Sequence, residues 1–313
     1  MTTWTTLAAA KLNLTLEVIG KREDGFHDLA SVVVSLDLVD EVRLTVDAKE
    51  RSVSYRDDGG RPISIETSDD IVIRAWSLLE RYCHLPSQAT VEVTKRIPVT
   101  SGLGGGSTDA AAFLRLARDA WQLDLSDDDL LRIGAQVGSD VPVCLIGGPV
   151  LMKGRGDRVT PLDLPQPPAD APAFLLHRTE IPVPEAKTAT MYRSLRSSDF
   201  RSGDATILLV ERLRDGETPT QDDCANSFDA PAREVMQGLT GAWRAMGTAI
   251  ANSTLESGEQ PVVPLLTGAG PTLFALLSAP SAQRAAARLQ HAPGFTRVAG
   301  LLDRREATTV RPL

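Results

Sequence analysis

The sequence predicts an α+β protein in two domains. Three observations lead to this prediction: β-type alternation dominates the first third, a glycine-rich turn at residue 102 leads into strong helical runs, and a proline-dense segment follows at 162–172. The length of 313 residues also fits two domains of about 150 residues each. We therefore predict a first domain over 1–163 and a second over 164–313, divided at the prolines, which disfavour helices and central strands.

The beginning of the chain is predicted to form strands. Apolar residues alternate with polar ones over 12–18, which is typical of a strand that buries one face. The pattern continues over 31–36 and 42–46, and we expect the charged segment 47–61 to form a loop or hairpin.

A helix and a further strand are predicted next. Helical spacing of apolar residues begins at Ile71, and the carboxylate of Asp69 or Asp70 is the candidate cap. Residues 91–95 alternate as in a strand, which we expect to stop at Pro98.

Two helices are predicted after a glycine-rich turn. The turn at 102–106 leads into a helical run over 110–120. A second helix is predicted from Ser126, which can form a capping box with Asp129. We expect this helix to end at Gly138 in a left-handed conformation.

The second half of the chain is predicted to mix helices and strands. It reads as a short strand at 174–176, helices over 186–195 and 230–246, and a polar surface loop over 251–261. A strand–helix–strand unit over 273–302 completes this part.

Composition excludes several classes of protein. The 33 Lys and Arg against 41 Asp and Glu give a net charge of −8, which argues against a nucleic-acid polymer as partner. Cys83, Cys144 and Cys224 lack metal-ligand spacing and predict free thiols in a reducing compartment. Since no apolar run approaches the ~20 residues of a membrane span, we expect a cytoplasmic protein with no membrane partner.

The most informative motif is Pro98–Asp109, PVTSGLGGGSTD. Glycines let backbone amides converge on a ligand, and the start of the following helix adds unpaired N–H groups. Together they favour a phosphate site. The motif lacks the Gly-Lys-Ser/Thr ending of a Walker loop and does not follow an initial βαβ unit as a Rossmann loop does. The alternative is a turn whose glycines serve packing alone.

Two charged residues are candidate catalytic groups. A carboxylate such as Asp140, placed just beyond a helix end, can accept or orient a hydroxyl proton during phosphoryl transfer. Lys11 stands in an apolar strand, where an unpaired charge is costly, and pairing with Asp140 would satisfy both. The alternatives are a capping role for Asp140 and a lysine that reaches from an edge strand to water.

A turn around Gly25 presents an aromatic ring and an imidazole side by side. Phe26 could stack on a nucleobase while His27 binds its edge. The alternative is a hairpin tip with Phe26 in the core. A second glycine turn at 267–271 could approach a phosphate or simply reverse the chain. The four histidines show no metal-ligand spacing.

In this order, the motifs resemble those of the GHMP kinases, named for galactose, homoserine, mevalonate and phosphomevalonate. Ala9–Asn13 resembles the first family motif, Pro98–Ala111 the phosphate loop, and Leu266–Thr272 the third motif. Within the superfamily, KLNLTLEVIGKREDGFHDL, and GLGGGSTDAA followed by GSDVP, closely resemble the kinase of non-mevalonate isoprenoid biosynthesis. The resemblance extends from residue 7 to about residue 302.

The resemblance implies both a fold and an activity. The fold is an N-terminal ribosomal-S5-like α/β domain followed by a C-terminal ferredoxin-like domain. The activity is ATP-dependent phosphorylation of the 2-hydroxyl of 4-diphosphocytidyl-2-C-methyl-D-erythritol, with Mg²⁺ as cofactor. The alternatives are another small-molecule kinase of the superfamily, acting on homoserine or a mevalonate derivative, and an inactive nucleotide-binding regulator.

The resemblance also implies site residues. Lys11 and Asp140 match the catalytic pair. The implied ATP-binding residues are Lys95, Pro98, Val99, Thr100, Ser101, Gly102, Leu103, Gly104, Gly105, Gly106, Ser107 and Thr108, with Ser107 near the metal through the phosphates. The implied substrate-binding residues are Asn13, Phe26, His27 and Tyr192.

Several features depart from the family pattern. Ser227-Phe228-Asp229 follows Asn226 where a more acidic run is common, and residues 251–261 resemble extra length. Phe26 keeps the ring of the usual Tyr without its hydroxyl, Asp70 stands where Asn is common near adenine, and Ala269 replaces the usual Ser. These changes bear on nucleotide geometry and substrate range, and they leave Lys11 and Asp140 in place.

Overall fold

The computed structural model describes residues 2–68, 70–85, 88–165, 168 and 171–313. The strands are β1 (Thr2–Asn13), β2 (Thr15–Lys21), β3 (His27–Val46), β4 (Ser52–Asp57), β5 (Pro62–Ile63), β6 (Ala89–Lys95), β7 (Val150–Gly154), β8 (Arg158–Pro161), β9 (Ala173–Thr179), β10 (Ala225–Asn226), β11 (Leu265–Leu266), β12 (Thr272–Leu277), β13 (Gly294–Ala299) and β14 (Val310–Pro312). The α-helices are α1 (Ile71–Tyr82), α2 (Gly105–Ala120), α3 (Asp127–Val137), α4 (Val141–Ile146), α5 (Lys187–Ser194), α6 (Asp204–Arg214), α7 (Asp229–Val235), α8 (Leu239–Leu255), α9 (Ala279–Leu289) and α10 (Arg304–Thr308).

The larger sheet is organised around the long strand β3. This strand pairs antiparallel with β1, β2, β6 and β7, so it joins the two segments predicted at 31–36 and 42–46. Two elements from the end of the chain also enter this sheet: β10 runs parallel to β2, and β14 pairs with β1. The segment 47–61, predicted to form a loop or hairpin, contains β4, which pairs antiparallel with β5 and parallel with β6.

A separate antiparallel sheet has the order β11-β12-β9-β13. Helix α9 connects β12 to β13, which confirms the predicted strand–helix–strand unit. Together with the helices on the larger sheet, this arrangement confirms the predicted α+β class. The predicted domain boundary at 162–172 lies partly outside the described residues and stays a prediction. Among the described helices, none has the length and apolar character needed to span a bilayer.

Helix α2 is buried on almost every side. Its residues from Thr108 to Ala117 are all buried between the sheet and helices α1 and α4. Small side chains at 110–112 let the helix lie close to β1 and β3, and Phe113 stacks on Trp76 of α1 at a centroid distance of 5.3 Å. Because α2 is fixed in the core, the glycine turn that precedes it is anchored at one end.

The predicted helix starts are confirmed at two caps. The buried carboxylate of Asp70 accepts hydrogen bonds from the amides of Val72 and Ile73 and from the hydroxyl of Tyr55, at 2.8–3.0 Å. Asp69 lies outside the described residues. Ser126 and the Asp three residues later form the predicted capping box.

The predicted left-handed end of α3 is wrong. Gly138 has a φ of −177°, which is extended backbone open to any residue. A Cβ at this position would lie 3.2 Å from Cδ1 of Ile71, so the glycine permits the close packing of α3 on α1.

The predicted half-buried strand over 12–18 is also wrong in two respects. The strand breaks at Leu14, between β1 and β2, and its polar residues are buried. The hydroxyl of Thr206 in α6 lies 2.9 Å from the hydroxyl of Thr15 and donates to Oε2 of Glu17 at 2.7 Å. The polar face is therefore covered by α6, a helix that the sequence did not predict.

The predicted helix over 230–246 is two helices. Gly238, with a φ of 92°, separates α7 from α8. Helix α8 then continues to Leu255, through the first part of the predicted loop 251–261. Ser253 and Thr254 are buried inside this helix, where their hydroxyls donate to carbonyls one turn earlier and are thereby satisfied.

Candidate active site

A cavity of about 950 Å³ lies where the glycine turn, the start of the chain and helix α5 meet. Its wall combines segments that are far apart in sequence. The lining residues used below are Lys11, Asn13, Lys21, Phe26, His27, Thr100, Ser101, Gly102, Gly104, Gly105, Gly106, Ser107, Asp140, Arg155, Lys187, Tyr192, Phe200, Phe228 and Gly268. The cavity thus brings most of the predicted phosphate-binding residues together with the predicted catalytic and base-binding residues.

The glycine turn forms the entrance to α2. Gly104 occupies the N-cap with a φ of 74° and contributes no side-chain hydrogen bond to the first turn. The amides at the start of α2 are therefore available to an anion, at the positive end of the helix dipole. A Cβ on Gly104 would lie 2.7 Å from Cγ of Lys11, so the turn and β1 meet through this glycine.

Part of the predicted ATP-binding segment lies outside the cavity wall. The side chain of Leu103 is in the hydrophobic core, and its carbonyl accepts the amide of Lys11 at 2.9 Å. The hydroxyl of Thr108 donates to the carbonyl of Ala9 at 2.8 Å. Pro98 and Val99 do not line the cavity. Leu103 and Thr108 thus connect the turn to β1, and the contact of all four residues with a nucleotide stays a prediction.

Lys95 lies beneath the first turn of α2 and does not line the cavity. Its Nζ atom forms ion pairs with Asp109, at 2.6 Å, and with Asp40. Burial acts to lower the pKa of Lys95, but the two carboxylates outweigh it and raise that pKa. Burial also raises the pKa of the Asp109 carboxyl well above its usual range. Lys95 is therefore placed as a support for the turn, and its predicted nucleotide contact is untested.

Lys11 and Asp140 approach each other across the cavity. Nζ of Lys11 lies 3.4 Å from Oδ2 of Asp140 and donates to Oδ1 of Asn13 at 2.7 Å. Lys11 follows a register irregularity between β1 and β3, and its side chain is only 9% exposed. Asp140 stands at the N-cap of α4 but makes no capping hydrogen bond, and 37% of its side chain is exposed. The carboxylate is thus left free for a ligand.

Asn13 is held by both of its side-chain ends. Its amide nitrogen donates to the hydroxyl of Ser31 at 2.8 Å while its oxygen accepts from Lys11. Its backbone amide donates to the hydroxyl of Thr267, in the third glycine turn. Asn13, the predicted substrate residue, is therefore hydrogen-bonded both to Lys11 of the predicted catalytic pair and to the third glycine turn.

The predicted base-binding residues form an aromatic cluster. His27 stacks on Tyr192 at a centroid distance of 5.1 Å and meets the edge of Phe200 at 6.1 Å. Phe228 lies edge-on to Tyr192 at 5.1 Å. Phe26 is 56% exposed, which rules out the alternative of a hairpin tip buried in the core.

The electrostatics of this cluster favour neutral, hydrogen-bonding side chains. Burial, aided by the charge of Lys21, lowers the pKa of His27 and thereby favours the neutral imidazole. Burial also raises the pKa of Tyr192 to about 12. A neutral imidazole has one donor and one acceptor nitrogen, which suits the edge of a nucleobase.

Sequence reasoning missed several cavity residues. The guanidinium carbon of Arg155 lies 4.8 Å from the ring centroid of Phe26, in a turn between two glycines that could have signalled it. Lys187, Phe200 and Phe228 carry no such local pattern. The third glycine turn, by contrast, was noted in the sequence and does reach the cavity at Gly268.

Comparison with known proteins shows the family to which the chain belongs. The family model for the N-terminal domain of GHMP kinases matches residues 70–148, which include the glycine turn and Asp140. A 4-diphosphocytidyl-2-C-methyl-D-erythritol kinase of Dehalococcoides mccartyi is 35% identical over 274 residues, covering 87% of this chain and 89% of the relative. The kinase of the same description from Rhodopseudomonas palustris strain BisB5 is 34% identical over 308 residues, covering 97% and 100%.

The chain belongs to the 4-diphosphocytidyl-2-C-methyl-D-erythritol kinase family of GHMP kinases. A crystal structure of a kinase from this family has a TM-score of 0.71 with 28% identity, covering 95% of this chain and 99% of that one. Homoserine kinase from Cytophaga hutchinsonii has a TM-score of 0.68 with 18% identity, covering 99% and 97%, and shares the fold alone. Membership of this kinase family confirms the prediction of a small-molecule kinase.

Proposed function

We propose that the protein transfers the γ-phosphoryl group of ATP to the 2-hydroxyl of 4-diphosphocytidyl-2-C-methyl-D-erythritol, in non-mevalonate isoprenoid precursor biosynthesis. One observation carries the proposal: a single cavity joins the glycine turn and the Lys11–Asp140 pair to the aromatic cluster around His27. Such a cavity suits a reaction between two nucleotide-bearing molecules.

The nucleotide end of the cavity is supplied by the glycine turn. The uncapped start of α2 offers backbone amides to the β- and γ-phosphates of ATP. This arrangement accounts for polyanion binding by a chain with a net charge of −8, because the donors are backbone groups rather than a basic surface.

The predicted Mg²⁺ is compatible with this geometry. The described residues contain no group of three or more His, Cys, Asp or Glu side chains that could hold a metal ion. Mg²⁺ in kinases takes most of its ligands from phosphate oxygens and water, with few from the protein. The hydroxyl of Ser107 is the cavity oxygen we assign to it, and the ion would neutralise phosphate charge.

The catalytic pair acts at the acceptor hydroxyl. Asp140 accepts or orients the hydroxyl proton, and the ammonium of Lys11 keeps the carboxylate ionised and steadies the charge on the phosphoryl oxygens. Because the transition state of phosphoryl transfer is loose, orienting the hydroxyl contributes more than removing its proton beforehand.

The other end of the cavity suits the cytidine. A cytosine ring presents donors and acceptors along one edge, which a neutral His27 can match, and its faces can stack on Phe26 or Tyr192. Homoserine and mevalonate derivatives have no ring to occupy this cluster, so the cluster favours the cytidine-bearing substrate over them.

An ATP-consumption assay over a panel of alcohols tests the proposal. We expect turnover with 4-diphosphocytidyl-2-C-methyl-D-erythritol and little with homoserine or mevalonate. Asp140→Asn should lower kcat by about a hundredfold or more with modest change in ATP affinity. The exposed Asp215→Asn, which lies at the end of α6, is the matched control and should retain activity. Preference for another alcohol would refute the proposed substrate. Near-normal turnover by Asp140→Asn would refute the proposed role of Asp140.

A further inference from the structure

Lys187 is a cavity residue to which the predicted mechanism gives no role. It is the first residue of α5, and its Nζ atom donates to the carbonyl of Thr100 at 3.0 Å and to the carbonyl of Gly270. An ammonium group has three N–H donors, so one remains for a ligand. Its side chain also lines the cavity.

The two carbonyls belong to two glycine turns that touch each other. A Cβ on Gly102 would lie 2.8 Å from the carbonyl oxygen of Thr267 and 2.9 Å from that of Gly270. A Cβ on Gly268 would lie 3.0 Å from the carbonyl oxygen of Gly102. The phosphate loop and the third glycine turn are therefore in backbone contact, and Lys187 connects them from the side of α5.

The charge around Lys187 is unbalanced. In the part of the chain that the structure describes, Lys187 forms no ion pair with a carboxylate. Burial, together with the positive charges of Lys11 and Arg178, lowers its pKa to about 8, while Asp140 acts in the opposite direction. A half-buried cation beside a second cation gains stability from an added anion.

We propose that Lys187 binds the phosphoryl group being transferred, through its third N–H, while its other two donors hold the phosphate loop and the third glycine turn together. The inference rests on the proposed function, which places a nucleoside triphosphate at the glycine turn. Lys187 and Lys11 would then contact the terminal phosphate from α5 and from β1, on either side of the loop.

A comparison of nucleotides tests the contact. Binding of ADP and of a non-hydrolysable ATP analogue with nitrogen between the β- and γ-phosphates is measured by titration calorimetry with Mg²⁺, on the full chain. We expect Lys187→Gln to weaken binding of the ATP analogue by about tenfold or more and binding of ADP by about threefold or less. Lys187→Arg keeps the charge and should recover most of the loss. Lys49→Gln, an exposed lysine after β3, is the matched control.

A selective loss of affinity for the triphosphate supports the proposed contact. If Lys187 only connected the two turns, the variant would weaken binding of both nucleotides equally. Equal weakening overturns the proposal. If Lys187→Gln does not fold, the wild-type chain is acetylated with a water-soluble N-hydroxysuccinimide ester and analysed by mass spectrometry. The ATP analogue should protect Lys187 and ADP should not; equal protection by both, or none, overturns the proposal.

Failure of the proposed function would look different. A wild-type chain that binds the ATP analogue through Lys187 but phosphorylates none of the alcohols leaves this inference standing. A chain with the expected kinase activity in which Lys187→Gln weakens both nucleotides alike refutes this inference alone.

Discussion

The imidazole of His27 stacks on the phenol ring of Tyr192, with centroids 5.1 Å apart and planes inclined by 25°. The two residues are 165 positions apart in sequence, one at the start of β3 and the other in α5. Both rings line the cavity that the glycine turn also lines. Their contact fixes the imidazole where a base edge can reach it.

His27→Ala should raise the KM for the cytidine-bearing substrate by about tenfold or more, because it removes hydrogen bonds to the base edge and the ring packed on Tyr192. The KM for ATP should change little, since the glycine turn is untouched. Steady-state kinetics with each substrate varied in turn measures both constants. The exposed His291→Ala serves as control. An unchanged KM for the cytidine substrate contradicts the assignment.

Gly104→Ala should abolish most activity. The new Cβ would lie 2.7 Å from Cγ of Lys11, and the residue has a φ of 74°, which side chains rarely adopt. We expect both ATP affinity and kcat to fall, because the turn and Lys11 must move apart. Calorimetry and turnover assays measure the two effects. Gly241→Ala, with open space around its Cβ in helix α8, is the matched control and should behave as wild type.

Lys95→Met should destabilise the protein by about 3–5 kcal/mol, because it leaves two buried carboxylates, Asp40 and Asp109, without their shared cation. Urea unfolding followed by circular dichroism measures the change in the free energy of unfolding. Exposed Lys49→Met is the control. A stable variant with a specific loss of ATP binding would instead support the predicted nucleotide contact of Lys95.

Binding of the ATP analogue should weaken as pH rises through about 8. The pKa of Lys187 is about 8 in the ligand-free protein, so its positive charge is present below this pH and lost above it. The neighbouring charges are Lys11 on β1, Arg178 on β9 and Asp140 at α4, and the bound phosphate would raise the pKa of Lys187.

At pH 8, binding should therefore take up to about half a proton. Calorimetry in buffers of different ionisation enthalpy measures this uptake. Lys187→Arg, which stays charged, should show neither the uptake nor the weakening between pH 7 and 9. Identical pH profiles for the variant and the wild type would exclude Lys187 as the titrating group.

Local sequence predicts those parts of the site that depend on residues adjacent in the chain. The glycine turn, the capping of α1 by Asp70 and the return of the chain at 267–271 depend on backbone geometry that neighbouring residues impose. Lys11 and Asp140 were predicted to pair because a charge in an apolar strand needs a partner, and they lie 3.4 Å apart.

Other features depend on packing between distant segments. Nothing near Thr15 and Glu17 indicates that α6 covers them. The sequence therefore predicts an exposed polar face for this strand, whereas the structure buries it. Lys187 occupies an unremarkable stretch of sequence, and only the meeting of two glycine turns gives its ammonium group a function. The sequence predicted that Gly138 provides a left-handed backbone conformation. In the structure its backbone is extended, and its lack of a side chain allows close packing against Ile71.

Strand β14 pairs with β1 through Trp4 and Pro312, and β1 carries Lys11. Residues that lie far apart in the sequence therefore pair along this edge, and the edge of β1 is unpaired whenever β14 is detached. Unpaired edges are the positions at which nascent chains associate wrongly. The pairing of β14 with β1 thus protects the larger sheet from edge-to-edge association.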